Sequence, residues 1–255
     1  MKKIISYNVN GIRAAIKKGF LNWLEKCNPD IVCLQETKAH QNQLDTSLFE
    51  HLKYHHYWHS AEKNGYSGVA ILTKEKPDHV EYGCSIKNGD NEGRIIRADF
   101  GNTSVISVYI PSGSSGEARQ SFKMEWLVEF QSYISDLKTK RPNLIITGDY
   151  NICHKPIDIH DPIRNVNSSG FLPEERAWMD SFIQSGMIDS FREFNQMPDQ
   201  YTWWTYRRNA RPRNLGWRLD YHMASNTLKN KINKGHILSD VIHSDHCPIS
   251  LEVQF

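Results

Sequence analysis

The chain has 255 residues, 39% hydrophobic and 24% charged, an ordinary globular composition that excludes a disordered or fibrous protein. With 31 basic and 29 acidic residues the formal net charge is +2, so any grip on a polyanion must come from a local patch. The five cysteines, Cys27, Cys33, Cys84, Cys153 and Cys247, form no C-x-x-C pair, which excludes a structural zinc site of that type and points to a reducing compartment. Ile4–Tyr7 reads as a short strand that breaks at Asn8-Val9-Asn10-Gly11. Apolar residues at spacings of three and four predict a helix over Ala14–Cys27, and Ile31–Leu34 predicts a buried strand running into Gln35-Glu36. Gln41–Leu52 is expected to be helical and Ser67–Thr73 a strand. Ile95–Phe100 and Ser104–Ile110 flank Gly101-Asn102 as hairpin partners.

Pro111–Gly116 reads as a loop and Glu117–Lys140 as a long amphipathic helix. Leu144–Thr147 is a strand ending at Gly148-Asp149-Tyr150-Asn151, followed by a polar, irregular stretch to Gly170. Pro173–Gly186 has Pro at a helix start and Gly past its end. Tyr201–Tyr206, Leu219–Ala224, Lys234–Leu238 and Ile249–Phe255 read as short strands. Strands and helices recur along the whole length without a linker, so the expectation is one α+β domain over 1–255, with helices covering packed sheets. No apolar run approaches the roughly 18 residues of a membrane span. The N-terminus enters a strand without a signal-peptide pattern. A cytoplasmic protein that contacts no membrane is expected.

Polar residues stand where apolar strands stop: Asn8 after IISY, Glu36 after IVCLQ, Tyr109 in VISVYI, Asp149 and Asn151 after LIITG, Asp220 in RLDY, and Asp245 and His246 before CPISLEV. Strand ends at one rim are held rigidly and converge, which suits catalytic groups. Each residue alone reads as a solvated carboxylate, a turn or a cap; the set is what matters. Carboxylate and amide oxygens without cysteine clusters favour a hard cation such as Mg²⁺, with Mn²⁺ as its substitute. A general base supplies only about 10²–10⁴-fold and a metal several kcal/mol, so hydrolysis of a phosphate ester needs the whole constellation. A second stretch, Tyr201–Tyr221, interleaves Arg207, Arg208, Arg211, Arg213 and Arg218 with Trp203, Trp204, Tyr206 and Trp217, and a polyphosphate partner explains it better than a solvated loop does.

With these residues in place the sequence resembles the exonuclease III family of abasic-site endonucleases, within the endonuclease/exonuclease/phosphatase superfamily. The matching pieces are SYNVNGIRAA, LQETK, GYSGVAILTK, EGRIIRADF, VYIPSG, GDYN, GFLPEER, YTWWTY…NARPRNLGWRLDY and SDHCPI, in the family's order. The resemblance implies a four-layer αββα, DNase I-like sandwich of two packed mixed sheets. It implies Mg²⁺-dependent hydrolysis of duplex DNA 5′ to an abasic site, leaving a 3′-hydroxyl, with trimming of blocked 3′ ends or 3′→5′ exonuclease activity, by a monomer. It carries metal roles to Glu36, Asn8, Asp149, Asn151 and Asp245. Asp149 activates water or protonates the leaving oxygen, Asn151 orients the water, Tyr109 bonds the phosphate, and His246, oriented by Asp220, contacts a phosphoryl oxygen. Lys38 supports the acidic cluster. Trp203, Trp217 and Leu219 form the pocket for an extruded sugar, and Arg13, Ala14, Lys18, Arg94 and Arg207 fall where members touch DNA. Asn10, Ser115 and Arg207 depart from residues found in some relatives. Ser168, Ser169 and Gly170 are small enough to leave the pocket open. The competing functions are a general nuclease or phosphoinositide-type phosphoesterase of the same superfamily, and a non-catalytic DNA-binding module.

Overall fold

The computed structural model describes residues 1–86 and 89–255. From β1 (Lys2–Asn8) the chain runs through α1 (Ile12–Lys17) and α2 (Phe20–Cys27) to β2 (Ile31–Gln35). Then come α3 (Ser47–His51), β3 (His55–His59), β4 (Val69–Thr73), β5 (His79–Tyr82), β6 (Ile95–Phe100) and β7 (Thr103–Tyr109). The order ends with α4 (Glu117–Lys140), β8 (Asn143–Asp149), α5 (Pro173–Gln184), β9 (Met187–Asp189), β10 (Asp220–Ser225), β11 (Ile232–Ile237) and β12 (Ile249–Val253).

Two six-stranded sheets form, in the orders β11-β12-β1-β2-β4-β3 and β5-β6-β7-β8-β10-β9. Each has one parallel pair at its centre, β1 with β2 and β7 with β8, each joined by a helical crossover; all other pairings are antiparallel. Side chains on alternate faces of a strand go to different layers. Ile4, Ile31, Cys33 and Ile71 of the first sheet meet Ile96, Ala98, Val105 and Ile145 of the second. Their neighbours Ile5, Tyr7, Val32 and Leu34 pack under Phe20, Leu24 and Phe49. On the outer face of the second sheet, Ile106, Val108 and Ile146 pack under Trp126, Phe130, Trp178 and Phe182 of α4 and α5. The layers are therefore helix, sheet, sheet, helix, as the sequence leads one to expect.

The central parallel pairs position the site. Parallel strands end side by side, and the registers set Asn8 opposite Gln35 and Tyr109 opposite Asp149. β10 runs antiparallel to β8 and begins with Asp220 opposite Asp149. β12 runs antiparallel to β1, so residues 244–248 enter at the same rim. Gly148, one residue before Asp149, has no room for a side chain: a Cβ there would lie 1.8 Å from the Val108 carbonyl oxygen of the neighbouring strand. Gly148→Ala is expected to destabilise the protein by about 2–3 kcal/mol, the upper part of the range for overpacking, read as a fall in the denaturant midpoint at unchanged slope.

Several local expectations are corrected. The helix expected over Ala14–Cys27 is two helices, because Gly19 takes φ 98° and caps the second. Gln41–Leu52 is not one helix but a 3₁₀ turn at Gln41–Gln43 followed by α3. Tyr201–Tyr206 is not a strand: Trp203 makes only isolated bridges to Trp217 and His246, since the Thr202 and Trp203 N–H groups both donate to the Trp217 carbonyl and the Trp204 N–H donates to that of Asp245. β3, β5 and β9 were not foreseen. β3 is His-rich, all three lie at sheet edges, and β5 has no buried residue, so they lack the apolar alternation that marks a strand. No helix among the described residues is long and apolar enough to cross a membrane.

Candidate active site

Glu36 follows β2 with φ 50°, a left-handed conformation rare for a residue with a long side chain and kept only where surroundings over-determine it. Here they do. The Glu36 and Thr37 carbonyls accept from the N–H groups of Gly11 and Ile12, while the Thr37 and Lys38 N–H groups donate to Gly68 and Ser67. Asn10, Lys38, Ser67 and Asn151 also have positive φ, so unusual backbone gathers at this rim.

The carboxylates form one network. The Asn8 Nδ2 amide donates to Glu36 Oε1 at 2.8 Å and Asp149 Oδ2 at 2.9 Å, which ties the sheets together at their ends. Lys38 Nζ lies 2.7 Å from Glu36 Oε2 and donates to Asn10 Oδ1 at 2.5 Å. The Asn10 amide donates to Asp245 Oδ1 at 2.9 Å, and Trp203 Nε1 donates to Asp245 Oδ2 at 3.1 Å. Asn151 donates its backbone N–H to Asp149 Oδ1 at 2.8 Å and its side-chain amide to the Ile110 carbonyl at 2.9 Å.

His246 stands between acids. Its Nδ1 is 2.8 Å from Asp220 Oδ2 and its Nε2 is 3.8 Å from Asp149 Oδ2. Burial opposes charge on this ring, but Asp220, Asp149 and Asp245 outweigh it and push its pKa up to about 10, so it is an imidazolium at neutral pH. Burial, helped by Asp220 and Glu36 and resisted by His246, pushes Asp149 up to about 7. Burial also acts to raise Glu36 and Asp245. Lys38 and Asn8 outweigh it at Glu36, and His246, Asn10 and Trp203 outweigh it at Asp245, so both carboxyls stay below their usual range. Burial holds the Tyr109 phenol well above its ordinary value, with Glu36 adding to the effect, so its hydroxyl keeps the proton.

Glu36, Asp149 and His246 each present an atom within 4.8 Å of the others, a spacing that fits one metal ion. His246 Nδ1 is taken up by Asp220, while Glu36 and Asp149 bring carboxylates to this group. Their oxygens suit a hard divalent cation. The expected ligands Asn8 and Asp245 stand differently. The Asn8 oxygen accepts from the Asn10 N–H at 3.0 Å, and the amide would have to turn over to face an ion. Asp245 lies outside the three-residue group, its oxygens taken by Asn10, Ser244 and Trp203.

Glu36, Tyr109, Asp149, Asn151, Asp245 and His246 line a cavity of about 350 Å³ together with Ser169, Gly170, Trp203, Trp217 and Leu219. The two tryptophans meet edge to face, 6.1 Å between ring centres. Arg13, Ala14, Lys18 and Arg207 are exposed; Lys18 donates to the His243 carbonyl, and its Nζ lies 5.9 Å from the centre of the Tyr206 ring. Arg94, expected at DNA, is instead 2% exposed. Its guanidinium donates to Glu92, Tyr66 and the Tyr109 carbonyl and lies 4.7 Å over the Tyr109 ring, so it supports Tyr109. The arginine-rich stretch divides in the same way. Arg211 donates to the carbonyls of Ser239, Val241 and Ser244, and Arg218 is buried against Asp158 and Asp189. Arg207, Arg208 and Arg213 remain exposed. Sequence reasoning missed Tyr66, Glu92 and Arg119, which hold one another beside Arg94. The signals were the matched pieces GYSGVAILTK, which holds Tyr66, and EGRIIRADF, which holds Glu92.

Comparison with known proteins agrees with this geometry. The profile of the Endonuclease/Exonuclease/phosphatase family matches residues 5–246. An exodeoxyribonuclease of Bacillus subtilis (strain 168) is 43% identical over 251 residues, 98% of each chain. The DNA repair nuclease APEX1 of Danio rerio is 42% identical over 254 residues, covering 98% of this chain and 81% of the relative. The solved structure of an AP endonuclease from Archaeoglobus fulgidus superposes with a TM-score of 0.90 at 28% identity, over the whole of both chains.

Proposed function

The chain belongs to the endonuclease/exonuclease/phosphatase family and is a DNA-repair nuclease, and on that premise we propose that it hydrolyses the phosphodiester 5′ to an abasic site in duplex DNA, with Mg²⁺, leaving a 3′-hydroxyl. The observation that carries the reading is a single cavity lined both by the acids Glu36 and Asp149 and by the apolar Trp203, Trp217 and Leu219. An abasic nucleotide has no base to unstack, so it is extruded at little cost. Gly170 keeps the wall open: a Cβ there would lie 3.0 Å from the Trp217 ring.

Glu36 and Asp149 would hold the cation, which when bound supplies positive charge to a phosphoryl oxygen. Asp149 takes the proton of the attacking water, and Asn151, bonded to it, orients that water. The neutral Tyr109 hydroxyl donates to the phosphate, and the His246 imidazolium faces the charge that develops there, its ring fixed by Asp220. Exposed Arg13, Lys18 and Arg207 take the flanking backbone. It would act as a monomer in the cytoplasm, a reducing compartment in which five free thiols persist.

An end-labelled duplex with one abasic analogue, beside its undamaged counterpart, tests the reading. One nick 5′ to the lesion is expected with Mg²⁺ or Mn²⁺, and none with EDTA. Equal cutting of the undamaged duplex would make the protein a general nuclease. No nick with either metal would reject the assignment.

A further inference from the structure

Beneath the catalytic turn lies an ion pair that the reaction as derived leaves unused. Lys123 of α4 and Glu175 of α5 are fully buried, with Nζ 2.5 Å from Oε1. Most of the remaining bonds of the pair go to backbone groups around the site. Lys123 Nζ donates to the Asn151 carbonyl at 2.7 Å. Glu175 Oε2 accepts from the N–H groups of Gly170 and Leu172 at 2.6 and 2.9 Å. Gln120 donates to Glu175 Oε1 at 3.1 Å and accepts from the Ser169 hydroxyl at 2.8 Å.

Burying an ion pair is a poor route to stability, since apolar packing of the same volume does as well or better. This pair is distinguished by what it holds. One end fixes the residue whose N–H and amide group meet Asp149. The other fixes the Ser169–Gly170 wall of the cavity, against which Trp217 stands.

We infer that Lys123 and Glu175 are positioning residues of the cutting reaction. Lys123 sets the Asp149–Asn151 turn for turnover, and Glu175, with Gln120, sets the wall that distinguishes a base-less sugar from a complete nucleotide. The inference rests on the abasic-site reading above. It separates two losses that general loosening would mix: one in rate, one in selectivity.

Steady-state kinetics of the full-length protein on the abasic and undamaged duplexes test it. Lys123→Met is expected to lower kcat on the abasic duplex about 10–100-fold, the scale of a misplacement under 1 Å, with KM within about threefold of wild type. Lys123→Arg, which keeps the donors, restores part of the loss. Glu175→Gln and Gln120→Ala are expected to lower the abasic-to-undamaged ratio by about fivefold or more, a fraction of the pre-organisation carried by such a wall, with a smaller fall in kcat. Gln120 lies at the partly exposed edge of the network. If either buried variant fails to fold, the Gln120→Ala ratio decides, and an unchanged ratio overturns the inference. A folded Lys123→Met with wild-type kcat, or a Glu175→Gln that slows both substrates equally, overturns it too. Wild-type protein that leaves the abasic duplex intact sinks the underlying reading and the inference with it. Wild-type cutting with unchanged variants sinks the inference alone.

Discussion

Asp149→Asn is expected to lower turnover on an abasic duplex by at least about 10³-fold, toward the upper end of what a general base supplies, while duplex affinity stays within a few-fold. The substitution is isosteric; Asn8 donates to one Asp149 oxygen and the Asn151 N–H to the other, so the amide oxygen keeps one of these two bonds. What disappears is the proton acceptor and one of the two carboxylates placed to hold a cation. The surface groups that would meet the DNA backbone, Arg13, Lys18 and Arg207, are exposed and do not contact Asp149. Single-turnover cleavage and fluorescence-anisotropy binding on the same labelled duplex separate the two effects. Turnover within about tenfold of wild type, less than a general base contributes, would remove Asp149 from the chemistry. Loss of rate and affinity together would mean that the rim had collapsed. The fold argues against collapse: Asp149 is held by its register with Tyr109 and Asp220, and an amide preserves both.

The layers were legible because burial leaves a periodic trace. Ile4 and Ile5 face opposite sides of one strand, the GN turn of Gly101-Asn102 joins β6 to β7, and the long helix over Glu117–Lys140 appears where its stripe placed it. The acidic centre was legible too, since Asn8, Glu36, Tyr109 and Asp149 each follow or close a strand and the central pairs are parallel. Edge strands left no such trace. His55–His59 and His79–Tyr82 have mostly part-exposed residues, and their pairing is set by a neighbour rather than by alternation. Arginines were the hardest to read. Arg94, Arg211 and Arg218 look like phosphate ligands in sequence, yet each is held by protein carbonyls, carboxylates or rings. Nothing local distinguishes a guanidinium that faces DNA from one that ties loops together. Partners such as Asp158 for Arg218 or Ser244 for Arg211 lie 60 and 33 residues away. Lys123 and Glu175, 52 residues apart, were hidden for the same reason.

Asp158→Asn is expected to cost about 3–5 kcal/mol of stability, the range for breaking a buried ion pair from one side. Asp158 sits in the irregular stretch behind the site and is 1% exposed. Arg218 grips it with two donors, Nε to Oδ1 at 2.8 Å and Nη2 to Oδ2 at 3.1 Å, and Arg192 adds a contact of 2.5 Å. The variant leaves Arg218 buried with Asp189 as its remaining carboxylate partner, and the single surviving bridge places the loss toward the lower end. The pH dependence follows from the same contacts. Burial acts to raise the Asp158 pKa, but Arg218 and Arg192 outweigh it and bring it from the ordinary 3.8 to about 2. A depressed carboxyl contributes stability that is fully present above the unfolded value, near pH 4, and is lost as pH falls through about 2. A shift of this size corresponds to about 2 kcal/mol. Denaturant midpoints measured from pH 6 down to 2 are expected to fall more steeply below pH 4 in wild type than in Asp158→Asn. The gap between the two proteins therefore narrows as the medium becomes acid. Parallel curves would mean that the guanidinium contacts do not hold Asp158 ionised. Cleavage well below the transition supplies the functional half. The Arg218 N–H donates to the Asp158 carbonyl, two residues before Asp220 orients His246. An Asp158→Asn that stays folded yet loses turnover would extend the catalytic support outward from His246 through Asp220 to Arg218.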